Sequence, residues 1–118
     1  MERKPATIVV LEENAAAQDL IEQTLRGSGD RVLVTNNPLE ALGLARRVRI
    51  DLLVTDAGLL ERTDSLVVKR LQGLGQVLYT HVSADSAFGE GERANVLRSP
   101  FSLDELRDAV TAALQHPR

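Results

Sequence analysis

Five short aliphatic runs are spread along the chain, and helix-like patterns lie between them. "TIVVL" (Thr7–Leu11), "RVLVT" (Arg31–Thr35), "DLLVT" (51–55), "QVLYT" (76–80) and "NVLR" (Asn95–Arg98) are rich in Val, Ile and Leu. "TIVVL" is nearly all apolar, as a strand covered on both faces must be. Between the runs the apolar spacing changes to a helical period. Asn14 can cap a helix that carries Ala17, Leu20, Ile21 and Leu25 on one stripe. "GSGD" (27–30) stops that helix. Pro38 suits a first helical turn, and Leu39, Leu42 and Ala45 recur on one side after it. A loop, "DAGLLERTD" (56–64), leads to a short helix over 65–71. The last helix opens with Ser102 and Glu105 in capping-box spacing and turns Leu103, Leu106, Val110 and Leu114 inward. The segment "HVSADSAFGEGERA" (81–94) has two glycines and little periodicity, which predicts a short or distorted helix.

Alternation of this kind implies a parallel sheet with helices on both faces and right-handed crossovers. The expected fold is an α/β three-layer α/β/α sandwich, flavodoxin-like, with five parallel strands in order 2-1-3-4-5. At 118 residues with 43% hydrophobic content, residues 1–118 form one domain around one core. The closing "QHPR" reads as a stub leading out of it.

Composition removes several function classes. There are no cysteines, so disulfides, thiol catalysis and thiolate metal sites are excluded. Net charge is −3 and aromatics are 3%, which argues against direct nucleic-acid binding by charge or by base stacking. The longest apolar runs, about five residues, are too short for a membrane span, and a cytoplasmic location follows by default.

Ligands of open parallel sheets sit beyond the carboxyl ends of the strands. Those ends carry Glu12 and Glu13 after the first run, Asp56 after the third, Thr80 at the end of the fourth, and Arg98, Ser99 and Pro100 after the fifth. Three carboxylates and a hydroxyl therefore converge on one edge. Clustered carboxylates repel unless a cation sits among them, and Mg²⁺, which takes oxygen ligands, answers that need.

These residues bring a resemblance. From Ala6 to about Leu114 the chain resembles the receiver domain of two-component response regulators. "IVVLEEN" stands where that family has a strand ending in two acidic residues, and "DLLVTD" where a strand ends in the phosphoaccepting aspartate. "VLYTH" matches the strand with the switch Thr or Ser, and "RSPFSLDEL" the lysine–proline–phenylalanine turn. The resemblance implies that Asp56 accepts a phosphoryl group from a histidine kinase or phosphotransfer protein. It implies Mg²⁺ held by Glu13, Asp56 and the Gly58 carbonyl, with Glu12 acting mainly through water. Thr80 would bond the phosphoryl oxygen and shift with it. The domain would signal by protein contacts to an attached or separate output domain, or as a homodimer, and would be no enzyme beyond weak self-dephosphorylation.

The chain also departs from the family. Ser99 replaces the lysine and brings no charge, and Arg98 beside it should point to the opposite face. Glu12 and Glu13 replace aspartates and are each one methylene longer. Val96 stands where an aromatic is frequent, and the loop after Asp56 lacks the usual proline. The competing reading is a phosphorylation-independent pseudo-receiver, acting as an interaction or dimerisation module. A flavodoxin-like ligand-binding reading is poor, because no phosphate-cradling loop follows the first run.

Plainer roles exist for single residues. Asp56 alone would serve as a helix cap, Glu12–Glu13 as a solvated helix start, and Ser102 as a cap. His81 reads as an exposed loop residue, and Arg46, Arg47 and Arg49 as a solvated helix face.

Overall fold

A computed structural model describes residues 4–83, 85, 86, 88 and 95–115. The strands β1 (Thr7–Leu11), β2 (Arg31–Thr35), β3 (Leu52–Asp56), β4 (Gln76–Val82) and β5 (Asn95–Arg98) form one parallel sheet in the order β2-β1-β3-β4-β5. The helices are α1 (Ala15–Arg26), α2 (Pro38–Leu44), α3 (Ala57–Glu61), α4 (Ser65–Gln72) and α5 (Leu103–Gln115). The order reverses between β1 and β3, so the crevice of the fold opens where those two strands end.

Strand alternation divides the core. Ile8 and Val10 join Leu52, Val54, Leu78 and Leu97 on the face covered by Ile21 and Leu25 of α1 and by Leu106 and Val110 of α5. Val9 and Leu11 join Leu53 and Tyr79 on the other face, under Leu59, Leu60, Val68 and Leu71. A strand buried on both faces must be apolar at every position, and β1 from Ile8 to Leu11 is fully buried.

The helix starts follow their caps. Asn14 accepts from the Ala17 N–H at 2.9 Å, and Asn37, ahead of Pro38, accepts from the Leu39 N–H at 2.8 Å. Ser102 and Glu105 form the reciprocal capping box, both bonds at 3.1 Å.

Several expectations need correction. Leu20 and Leu39 face outward at 51% and 64% exposure, while Thr24 and Ala41 are buried in their stead. The apolar arc is rotated by roughly one residue, which short helices with few apolar positions tolerate. Arg46, Arg47 and Arg49 are exposed but lie past the end of α2, not on it. The stretch after Asp56 is not all loop: it folds at once into α3. β4 does not end at Thr80 but continues through Val82. The helix expected between β4 and β5 falls largely on residues outside those described. No helix among the described residues is long and apolar enough to cross a membrane.

Candidate functional site

The carboxyl edge of the sheet gathers Glu12, Asp56, Thr80, His81 and Ser99. Register does most of this. Leu11 pairs with Thr55, which places the turn after β1 beside the end of β3, and Asp56 pairs with Thr80. Thr80 in turn pairs with Leu97, one residue before Arg98 and two before Ser99.

Asp56 is the last residue of β3 and also the cap of α3. Its Oδ1 accepts the Gly58 N–H at 2.9 Å. One of its two oxygens is therefore already engaged by a backbone donor. Gly58 presents its amide to Asp56. Thr80 is buried at 1% exposure.

Glu12 and Glu13, adjacent in sequence, part company. Glu12 turns inward and is 2% exposed. Its Oε2 accepts the Asn14 N–H at 3.1 Å, while its Oε1 is buried with no hydrogen-bond partner. Burial pushes the Glu12 carboxyl above the usual glutamate value, and the nearby Asp56 charge pushes the same way; the Asn14 amide and His81 oppose them. Glu13 turns outward and is held by the Arg62 guanidinium, one residue beyond α3. A side chain added at Gly58 would place its Cβ 3.4 Å from Asp56 Oδ1 and 3.6 Å from Arg62 Nη1, so both groups border the start of α3.

Ser99 leads into a cis Ser99–Pro100 bond, and its Oγ is hydrogen-bonded to His81 Nδ1 at 2.7 Å. The opposite ring nitrogen, Nε2, lies 3.4 Å from Glu12 Oε1. The ring also packs on Phe101, centroids 5.2 Å apart. His81 is the residue that sequence reading missed. It is no loop residue but the extra residue of a register shift between Thr80 and Val82, with φ 55°. A regular strand would have sent it away from its neighbours; a bulge re-aims it. The hint in the sequence is a second polar residue, directly after Thr80, in a run that closes on Val82.

Among the described residues, no group of three or more His, Asp and Glu side chains stands close enough to hold a metal ion as placed. Glu13 is the member drawn away. The unpartnered Glu12 Oε1 beside the Asp56 charge is nevertheless the kind of oxygen pair a hard divalent cation bridges.

No protein-family model matches the chain. A curated relative, the polar-differentiation response regulator DivK of Brucella anthropi, is 34% identical over 92 residues, covering 75% of each chain. A response regulator from Thermotoga maritima superposes with a TM-score of 0.76 over 96% of this chain and 100% of the other, at 21% identity. The receiver domain of the sensor histidine kinase PA1611 from Pseudomonas aeruginosa, determined with a magnesium ion in its active-site cleft, superposes with a TM-score of 0.71 at 21% identity, again over 96% and 100%. These structural likenesses speak to the fold. Taken with the DivK likeness and the acidic residues at the ends of β1 and β3, they establish that the chain belongs to the response-regulator receiver family.

Proposed function

We propose that the domain accepts a phosphoryl group on Asp56 from a phosphohistidine donor and passes the change on through protein contacts. The observation that carries this is the pairing of Asp56 with buried Thr80 next to the unpartnered Glu12 oxygen. An Asp56 oxygen attacks phosphorus, the N–P bond of the donor breaks, and an acyl phosphate forms on Asp56. Thr80 supplies a hydroxyl to the new oxygens, and its position in the sheet makes a small shift felt by β5.

Mg²⁺ would be held at this edge by Glu12, Asp56 and the Gly58 carbonyl, with Glu13 joining once it leaves Arg62. When bound, the ion offsets the repulsion between the carboxylates and an anionic donor. Arg62, paired with Glu13, brings one positive charge to the same mouth. Partners on this reading are a histidine kinase or phosphotransfer protein, and an output module in the same or another chain.

The same two contacts favour a second reading. Asp56 bonded to Gly58 and Glu13 bonded to Arg62 make a site that is satisfied without ligands, as a phosphorylation-independent docking or dimerisation module would have. Incubation with acetyl phosphate and Mg²⁺, followed by intact-mass measurement, separates them. Addition of one phosphoryl group, absent in Asp56→Asn, supports the phosphoacceptor. An unchanged mass in both chains overturns it in favour of the second reading.

A further inference from the structure

We propose that His81, anchored by Ser99, donates a hydrogen bond from Nε2 to the phosphoryl oxygens carried by Asp56. The inference rests on the phosphoacceptor reading and assigns the group that receives the added charge.

Phosphorylation of Asp56 would bring a multiply charged group next to a buried carboxylate, Glu12. Such a group needs N–H or O–H donors aimed at it, since charged hydrogen bonds are the strong ones and unpaired buried charge is costly. The Thr80 hydroxyl is one donor. Regular alternation would take the next residue out of reach. The register shift at 80–82 prevents that: Thr80 pairs with Leu97 and Val82 with Arg98, which leaves His81 as the extra residue. Its φ of 55° is a conformation few residue types adopt, histidine among the more tolerant.

The ring so placed is held on three sides. Ser99 Oγ bonds Nδ1 at 2.7 Å, Phe101 packs against the ring, and Nε2 faces Glu12 Oε1 at 3.4 Å. When the Ser99 hydroxyl donates to Nδ1, the ring proton sits on Nε2; this is the tautomer the role requires. Nε2 lies 3.4 Å from Glu12 Oε1 without donating a hydrogen bond to it, so it is not committed to that carboxylate. The neutral ring is therefore sufficient for the role. Ser99 acts as the positioning residue: it fixes the tautomer and the ring plane.

The test is an NMR titration of the full chain with beryllofluoride in excess Mg²⁺, observing the His81 ring nitrogens together with backbone amides. The wild-type Nε2 resonance is expected to move with the amides of Asp56 and Thr80. His81→Phe is expected to weaken the mimic about tenfold, and His81→Gln, which keeps a donor, to recover part of the loss. Ser99→Ala should broaden the ring signals and weaken binding by less. Amides of Asp56 and Thr80 that respond while the Nε2 signal stays fixed would overturn the role of His81 and leave the phosphoacceptor intact. The ring signal is read on the wild type, so it does not depend on the variants folding. No mimic-dependent change anywhere in the wild type, or identical changes in Asp56→Asn, would overturn the phosphoacceptor reading and this role with it.

Discussion

Arg62 clasps Glu13 across the mouth of the site and thereby ties the end of α3 to the turn after β1. Both side chains are more than half or about half exposed, at 58% and 50%. A pair so exposed contributes about 0–1 kcal/mol. It is thus a weak competitor for a carboxylate that a divalent ion also needs. Arg62→Ala should bind Mg²⁺ up to about fivefold more tightly than the wild type, as read by amide shifts in an Mg²⁺ titration. Unchanged affinity would show that Glu13 takes no part in holding the ion.

Glu12 should make stability depend on pH in the sense opposite to most carboxylates. Its folded-state pKa is raised by burial, so the folded chain holds this proton more tightly than the unfolded one. The contribution is complete below the ordinary glutamate value and is lost as pH rises through the raised folded value. Glu12→Gln should therefore be more stable than the wild type near neutral pH, by about 1 kcal/mol or a few degrees in Tm, with the gap closing in acid. Thermal melts from pH 4 to 8 measure it. Added Mg²⁺ should stabilise the wild type and leave Glu12→Gln nearly unmoved.

The two roles of Asp56 can be separated by substitution. Asparagine also caps helices, so Asp56→Asn should keep α3 and stay within about 0.5 kcal/mol of the wild type while losing phosphoacceptance. Asp56→Ala removes the bond to the Gly58 amide as well and should cost about 1 kcal/mol. Urea unfolding of the two variants checks this, and equal stabilities would show that the cap contributes nothing.

Ser99→Lys adds a cation at the turn after β5. Because it also removes the hydroxyl that holds His81, its effect is read against Ser99→Ala: it should bind beryllofluoride roughly tenfold more tightly than that variant, the scale of one charged hydrogen bond. No gain over Ser99→Ala in a direct titration would put residue 99 outside the phosphoryl site.

Much of this molecule was legible in its sequence because the signals were local. β1, β2 and β5 are short runs rich in β-branched and aliphatic residues, and their limits fall where the sequence put them. The capping box at Ser102–Glu105 works through two bonds three residues apart, so spacing alone reveals it. The parallel sheet with helices on both faces followed from chain alternation and the handedness of crossovers. What stayed hidden depends on contacts distant in sequence. Arg62 meets Glu13 across 49 positions and His81 meets Ser99 across 18. No periodicity encodes either. α3 escaped because five residues are too few to show a helical period, and its start depends on Asp56 serving strand and cap together. The bulge escaped because a single inserted residue leaves the apolar run around it unbroken.

That bulge separates chemistry from scaffold. Residue 81 stands outside the one-to-one pairing of β4 with β5, and its side chain is not part of either half of the core. Any residue that tolerates a positive φ could stand there without disturbing Thr80 or Val82. The sheet thus offers an exchangeable socket beside buried Thr80. Descent with modification could refit the site's donor at this one codon while every packed residue around it stayed the same.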